Sequence, residues 1–158
     1  MLMLVAIIWL IILLVLAAAG DLRRREISNV LNSVIAISAP LIWWASALPL
    51  WPDIALHVGV ALAVFAVFAA LFFIGQMGGG DVKLIGALAL WINPGLILPM
   101  LLVMTIVGGV IAAIMLVHKK IKKIEQQPEV PYGVAIAIAG LWAIHQQYIN
   151  HLSLIPTI

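Results

Sequence analysis

Cysteine is absent from the sequence, and charged residues make up only 9% of its 158 residues. The lack of cysteine excludes structural disulfides, cysteine-ligated zinc and a thiol nucleophile. The four histidines show no close metal-ligand spacing, so we expect neither a metal nor another cofactor. A net charge of +2 gives no reason to expect a nucleic-acid partner. A soluble domain has about 25% charged residues, far more than the 9% found here, and hydrophobic residues reach 66%. We therefore expect an integral membrane protein.

Apolar stretches run along the whole chain, and the first, Met1–Gly20, is long enough to cross a bilayer core of about 30 Å. Ala17–Ala19 resembles a signal-peptidase site, but a signal peptide has its basic residues before the apolar stretch, and here Arg23–Arg25 follow it. We therefore expect an uncleaved helix. Five more spans are predicted: Val30–Leu48, Ile54–Ile74, Val82–Ile92, Leu96–Val117 and a last one from Pro131 to about Tyr148. The fold class is an all-α, polytopic integral membrane bundle of about six transmembrane helices.

The fourth of these spans is unusually short. As a helix, its roughly 11 residues would measure about 17 Å, which is less than the thickness of the hydrocarbon core. It is either a stubby helix, which would draw Asp81 into the membrane, or a re-entrant segment. We favour the stubby helix.

Basic residues lie on one side of the predicted topology. Every Lys and Arg falls in a segment that a six-span arrangement places in the cytoplasm: Arg23, Arg24, Arg25, Lys83, Lys119, Lys120, Lys122 and Lys123. Because cytoplasmic segments of membrane proteins are enriched in Lys and Arg, the N-terminus is predicted to lie outside. The same arrangement places Asp21 and Asp81 at one membrane face, each beside a helix end.

Asp81 ends a predicted glycine loop, Gly75–Asp81, between two apolar spans. An acidic residue in this setting is usually functional, and glycines would let an extended peptide approach closely. If Asp21 lies near Asp81, the two carboxylates cannot both ionise easily. One can then take a proton from water while the other protonates a substrate oxygen. The alternative is that both are interfacial charges, with Asp21 paired to the arginines and Asp81 capping its helix.

Two sequence blocks resemble those of the type IV prepilin peptidases, the GxGD membrane aspartyl proteases. The string Gly79-Gly80-Asp81-Val82-Lys83-Leu84 is similar to the signature of that family. Asp21, with Ile27 and Asn29 after it, is similar to the family's first aspartate block. Pro131-Tyr132-Gly133, before the last predicted span, resembles a further family element.

This resemblance implies a membrane aspartyl endopeptidase that removes the leader of prepilin-like proteins at the cytoplasmic face, with Asp21 and Asp81 as the catalytic pair. It implies supporting or substrate-contacting roles for five neighbours: Gly78, Gly79, Gly80, Lys83 and Asn29. Its partners would be a prepilin or pseudopilin substrate and the lipid bilayer, in the plasma (inner) membrane of a bacterium. Residues 1–158 are expected to form one peptidase domain, similar to the short members of Flp/Tad pilus systems. The cysteine-bearing cytoplasmic domain that methylates new N-termini is not expected.

The sequence leaves several supporting roles open. Lys83 either acts electrostatically on Asp81 or anchors the helix end, and we favour the anchor. Asn29 and Gln76 are candidates for orienting a carboxylate or the scissile carbonyl. Glu125 and Glu129 either meet a basic leader or are simply solvated.

Two other classes of function remain as alternatives. Intramembrane acids also mark proton or ion pathways, which suggests a proton- or ion-coupled transporter subunit. Such a pathway needs polar residues near mid-span, and the spans offer little beyond Ser38 and Thr105. The other alternative is a pilus-assembly scaffold without chemistry.

Overall fold

The computed structural model describes residues 1–122 and 130–153, and this part of the chain is helical, without a β-strand. A wide turn, Leu50–Ile54, leads into the third helix. The helices of the described residues are α1 (Leu2–Arg24), α2 (Asn29–Ala45), α3 (Ala55–Phe73), α4 (Gly79–Ala89), α5 (Pro94–Lys122) and α6 (Tyr132–Ser153). The predicted all-α class is confirmed.

Three helical segments in the described part are long and apolar enough to cross a membrane: Leu2–Arg24, Leu50–Phe73 and Pro94–Lys122. The apolar helices α2 and α4 are shorter, with 17 and 11 residues. Large apolar side chains such as Phe73 and Ile106 are exposed on the outer faces of α3 and α5. Exposed apolar patches of this extent mark an interaction surface, and the fold is a helical membrane bundle.

Helix α4 lies at the centre of this bundle. It packs against α2, α3 and α6, and seven of its 11 residues are buried. Close approach of α4 and α6 depends on Gly140, because a Cβ at that position would lie 2.7 Å from Leu88 Cδ2. Helix α6 also packs against α1 and α5, so α4 and α6 together connect the outer helices.

Helix α4 runs from one end of the bundle toward the other. Gly79, at its start, lies against the ring of Phe72 at the end of α3. Beyond its last turn, Trp91 Nε1 donates a hydrogen bond of 2.8 Å to the Ile35 carbonyl of α2, and the Asn93 N–H donates one of 2.9 Å to Gln147 of α6. The segment is therefore the short helix that we favoured, and it does not turn back as a re-entrant segment would.

Two predicted boundaries next to the acidic residues are wrong. Helix α1 continues beyond Gly20 to Arg24, so Asp21 is helical; the helix ends at Arg25, whose φ is 56° and whose N–H donates to the Asp21 carbonyl. Helix α4 begins at Gly79, so Asp81 lies in its first turn and not in a glycine loop. Glycine lowers helix stability by about 1 kcal/mol per residue, but Gly79 and Gly80 both lie in tight tertiary contacts that hold them in place.

Candidate active site

One cavity of about 440 Å³ brings the two predicted catalytic residues together. Asp21 comes from the last turn of α1 and Asp81 from the first turn of α4, and their carboxylates are close enough for their charges to interact. All five predicted supporting residues line the same cavity: Asn29, Gly78, Gly79, Gly80 and Lys83. The remaining lining consists of Arg25, Glu26 and Ile27. The structure therefore places both predicted acids and all five predicted supporting residues around one cavity.

Asp21 is buried, with 5% of its surface exposed, and the start of α6 holds its carboxylate. The Val134 N–H donates a hydrogen bond of 3.3 Å to Asp21 Oδ2. The first N–H groups of a helix have no partner within the helix and carry a partial positive charge, so they favour an anion. A Cβ at Gly133 would lie 2.8 Å from the same oxygen. Because Gly133 has no side chain, the start of α6 can approach this carboxylate closely enough for the hydrogen bond.

Asp81 is the third residue of α4, and Gly78 is the N-cap. A Cβ at Gly78 would lie 3.0 Å from Asp81 Oδ2, so the carboxylate folds back over the N-cap residue. This is the arrangement in which an acidic third residue reaches the free N–H at the start of its helix. Asp81 can therefore cap its helix, as the alternative interpretation suggested, and still belong to the acid pair.

Two polar contacts tie the start of α4 to α2. Lys83 Nζ donates a hydrogen bond of 2.7 Å to Asn29 Oδ1. Asn32 Nδ2 donates one of 3.1 Å to the Gly80 carbonyl. The ammonium of Lys83 thus contacts Asn29 and not Asp81, which supports the anchoring role that we favoured.

The three glycines before Asp81 serve close packing. Among the glycines of the described residues, only Gly75 has a positive φ, at 73°. A Cβ at Gly80 would lie 3.3 Å from Ile27 Cβ and 3.4 Å from the Ile27 carbonyl oxygen. None of the three glycines adopts a left-handed backbone conformation, and the missing side chain at Gly80 leaves room for the α1–α2 connection.

Sequence reasoning missed two contributors to the site and proposed one residue that lies elsewhere. Asn32 was not predicted to be a site residue, although its spacing from Asn29 puts both on one helix face. The Gly133–Val134 start of α6 was noted only as a motif without a role. Gln76 is exposed and does not line the cavity. Glu125 and Glu129 lie outside the described residues, as does Lys123.

The bundle and its carboxylate pair define a polytopic helical membrane protein with an acidic site at the junction of three helix ends. Residues 8–114, more than half of the chain, match the model of the type IV leader peptidase family. The chain belongs to this family and is a leader peptidase-type protease. The matched range contains Asp21 and Asp81 and ends before α6. Neither the curated proteins nor the solved structures contain a match.

Proposed function

We propose that the chain is an aspartyl endopeptidase that removes the leader of prepilin-like, Flp-type proteins at the cytoplasmic face of a bacterial plasma membrane. The observation that carries this proposal is the cavity that Asp21 and Asp81 share. Two acidic side chains from helices far apart in sequence line it, in a bundle whose buried side chains, among the described residues, are apolar apart from Asp21 and Asn32. Ionisable groups in such surroundings are rare and usually functional.

The reaction follows from two carboxylates that share one proton. The ionised member accepts a proton from a water molecule, whose oxygen attacks the scissile carbonyl carbon. The protonated member donates its proton to the carbonyl oxygen as the tetrahedral intermediate forms. The C–N bond then breaks as one carboxyl group gives its proton to the leaving nitrogen and a hydroxyl of the intermediate gives its proton to the other carboxylate, so the pair again holds one proton. No metal or nucleophilic side chain enters these steps.

The cavity suits a substrate backbone in an extended conformation. The backbone of Gly78, Gly79 and Gly80 forms part of the cavity lining, and glycine backbone without side chains allows a peptide to approach the lining. Arg25 and Glu26 also line the cavity, and they belong to the connection that the charge distribution assigns to the cytoplasm. A leader in the cytoplasm could therefore enter from the side of α1 and α4 where these charged residues lie.

Co-expression with a Flp-type prepilin tests the proposal. Asp21→Asn and Asp81→Asn should each reduce leader removal at least about 10³-fold, because a single remaining carboxylate cannot perform both proton transfers. Asp53→Asn is the matched control, since Asp53 lies in the turn before α3 and does not line the cavity. Membrane levels of all variants should equal that of the wild type.

The outcome also separates the alternatives. Leader removal retained by either cavity variant would refute the acid pair and favour a scaffold without chemistry. Absence of leader removal by the wild type with every Flp-type prepilin tried would refute the proposed substrate class.

A further inference from the structure

A second groove lies next to the acid cavity. It has a volume of about 380 Å³ and lies between α2 and α3, with α4 as its floor. Asn29 and Lys83 line both the groove and the acid cavity, so the two are adjacent, and the hydrogen bond between these side chains lies at the boundary. Lys83 is the ionisable residue of its lining, and beyond the polar mouth the walls are apolar.

The groove exists because two helices share one neighbour. Helices α2 and α3 each pack against α4 but have little contact with one another. The strip of α4 between them includes two small residues. Phe65 of α3 packs against Gly86, and Ala87 allows another chain to approach closely. From Lys83 to Leu90 the floor extends about two helical turns, or about 10 Å.

Asn32 indicates what kind of occupant fits. Only 4% of its surface is exposed, and it lines the groove. Its Nδ2 donates to the Gly80 carbonyl, but its buried Oδ1 has no hydrogen-bond partner in the described part of the chain. A buried acceptor without a partner is unfavourable by about 1–3 kcal/mol. An acyl chain of a lipid has no donor for this oxygen, whereas a peptide has backbone N–H groups.

We propose that this groove binds the apolar segment that follows the scissile bond of the substrate, an inference that rests on the proposed function. The segment enters as a helix whose first turn lies at the groove mouth, while the residues before it extend through the acid cavity. The first N–H groups of any helix lack internal partners. A rotation of the Asn32 side chain brings Oδ1, which is buried in this structure, to one of these N–H groups, and the resulting bond fixes where the extended, cleavable backbone ends and the substrate helix begins.

Cross-linking tests the location, and the chain suits it because it has no native cysteine. Ala36 lines the groove, whereas its neighbour Ile37 is 64% exposed on another face of α2. In an Asp81→Asn background, Ala36→Cys should cross-link to a Flp-type prepilin with one cysteine in its apolar segment at least about tenfold more than Ile37→Cys. On α3, Leu62→Cys and Ala63→Cys form a second pair of the same design.

Filling the groove tests its importance for cleavage. Ala36→Phe should lower kcat/KM for prepilin cleavage about tenfold, mainly through KM, whereas Ile37→Phe should leave it unchanged. If the wild type cleaves the prepilin but both members of each cysteine pair cross-link equally, or not at all, lipid alone occupies the groove and this inference is wrong. If the wild type cleaves no prepilin, it is the proposed function that fails.

A substitution in the substrate tests the role of Asn32. Proline lacks a backbone N–H but is tolerated in the first turn of a helix. Proline placed successively along the first turn of the apolar segment should raise KM about fivefold at one position, the loss expected for one hydrogen bond of about 1 kcal/mol. With Asn32→Leu the same proline should have no further effect. Equal sensitivity of the two enzymes at every position would refute the hydrogen bond.

Discussion

The two carboxylates of the site sit at opposite kinds of helix end. Asp81 lies in the first turn of α4, where the helix dipole and the free N–H groups favour a negative charge. Asp21 lies in the last turn of α1, where the dipole disfavours one, and it is also buried. The same chemical group therefore meets a favourable backbone field at one position and an unfavourable one at the other.

A second helix compensates for the position of Asp21. Its Oδ2 accepts a hydrogen bond from the Val134 N–H in the first turn of α6. The N-terminus of α6 therefore stabilises the Asp21 carboxylate, as the N-terminus of α4 stabilises that of Asp81. Asp81 is thus positioned by its own helix and by contacts with α2, whereas Asp21 depends on a helix that begins more than a hundred residues later in the sequence. Changes at the start of α6 should therefore act on Asp21 alone.

Among the substitutions that distinguish the two carboxylates, Gly133→Ala should reduce prepilin cleavage the most. The new Cβ would lie 2.8 Å from Asp21 Oδ2 and 3.0 Å from Asp21 Cβ, so the carboxylate must move or α6 must retreat. Misplacement of a catalytic group by about 1 Å reduces activity about 10²-fold. Prepilin cleavage should fall by that factor, while the thermal midpoint in detergent falls by only a few degrees.

Gly109→Ala provides the control for this substitution. A Cβ at Gly109 on α5 meets nothing within 4 Å, and the change from glycine to alanine in a helix is favourable by about 1 kcal/mol. Cleavage should be unchanged and stability slightly higher. Wild-type activity in Gly133→Ala would show that Asp21 does not need its contact with α6.

Gly80→Ala addresses the other carboxylate and should have a smaller effect. Its Cβ would lie 3.3 Å from Ile27 Cβ, so the first turn of α4 must shift by a few tenths of an ångström. We expect cleavage to fall about tenfold, a smaller loss than a full 1 Å displacement causes, with no loss of membrane expression. Gly59→Ala, where nothing lies within 4 Å, should behave as the wild type. Equal losses of activity and expression in Gly80→Ala would indicate a role in folding instead.

Composition and charge were sufficient to predict the helical membrane fold and to place Asp21 and Asp81 at the same side of it. The supporting residues were implied by the family resemblance, and Arg25 and Glu26, which also line the cavity, were not predicted. Long apolar runs separated by short polar segments specify helices that a membrane can hold. The clustering of Lys and Arg at alternate connections then fixed which helix ends could meet, and so brought Asp21 and Asp81 into one hypothesis. Both inferences use local composition, which a single sequence displays directly.

Contacts between distant segments could not be predicted in the same way. The bond from Val134 to Asp21 and that from Asn32 to Gly80 depend on how helices pack, and no local pattern encodes them. The start of α4 was placed too late for the same reason. Three glycines favour a loop when propensity alone is considered, but packing of Gly79 on Phe72 and of Gly80 on Ile27 outweighs that preference.

Substitutions of Lys83 and Asn29 should have the smallest effect on cleavage. They test whether Lys83 acts by anchoring the start of α4 to α2 or by the effect of its charge on the carboxylate pair. Their hydrogen bond of 2.7 Å is exposed, and such contacts contribute about 0.2–1 kcal/mol. Lys83→Met and Asn29→Ala should therefore each lower kcat/KM no more than about fivefold.

The double variant distinguishes the two roles of Lys83. If the lysine acts only through Asn29, the combined substitution should be no worse than either single one, because both remove the same bond. The pH dependence of cleavage should also keep its position in Lys83→Met. A displaced pH profile in Lys83→Met that Asn29→Ala does not reproduce would show that the ammonium acts on the carboxylate pair directly. The α4 end would then need an external charge just as the α1 end needs α6, and the contrast between the two carboxylates would disappear.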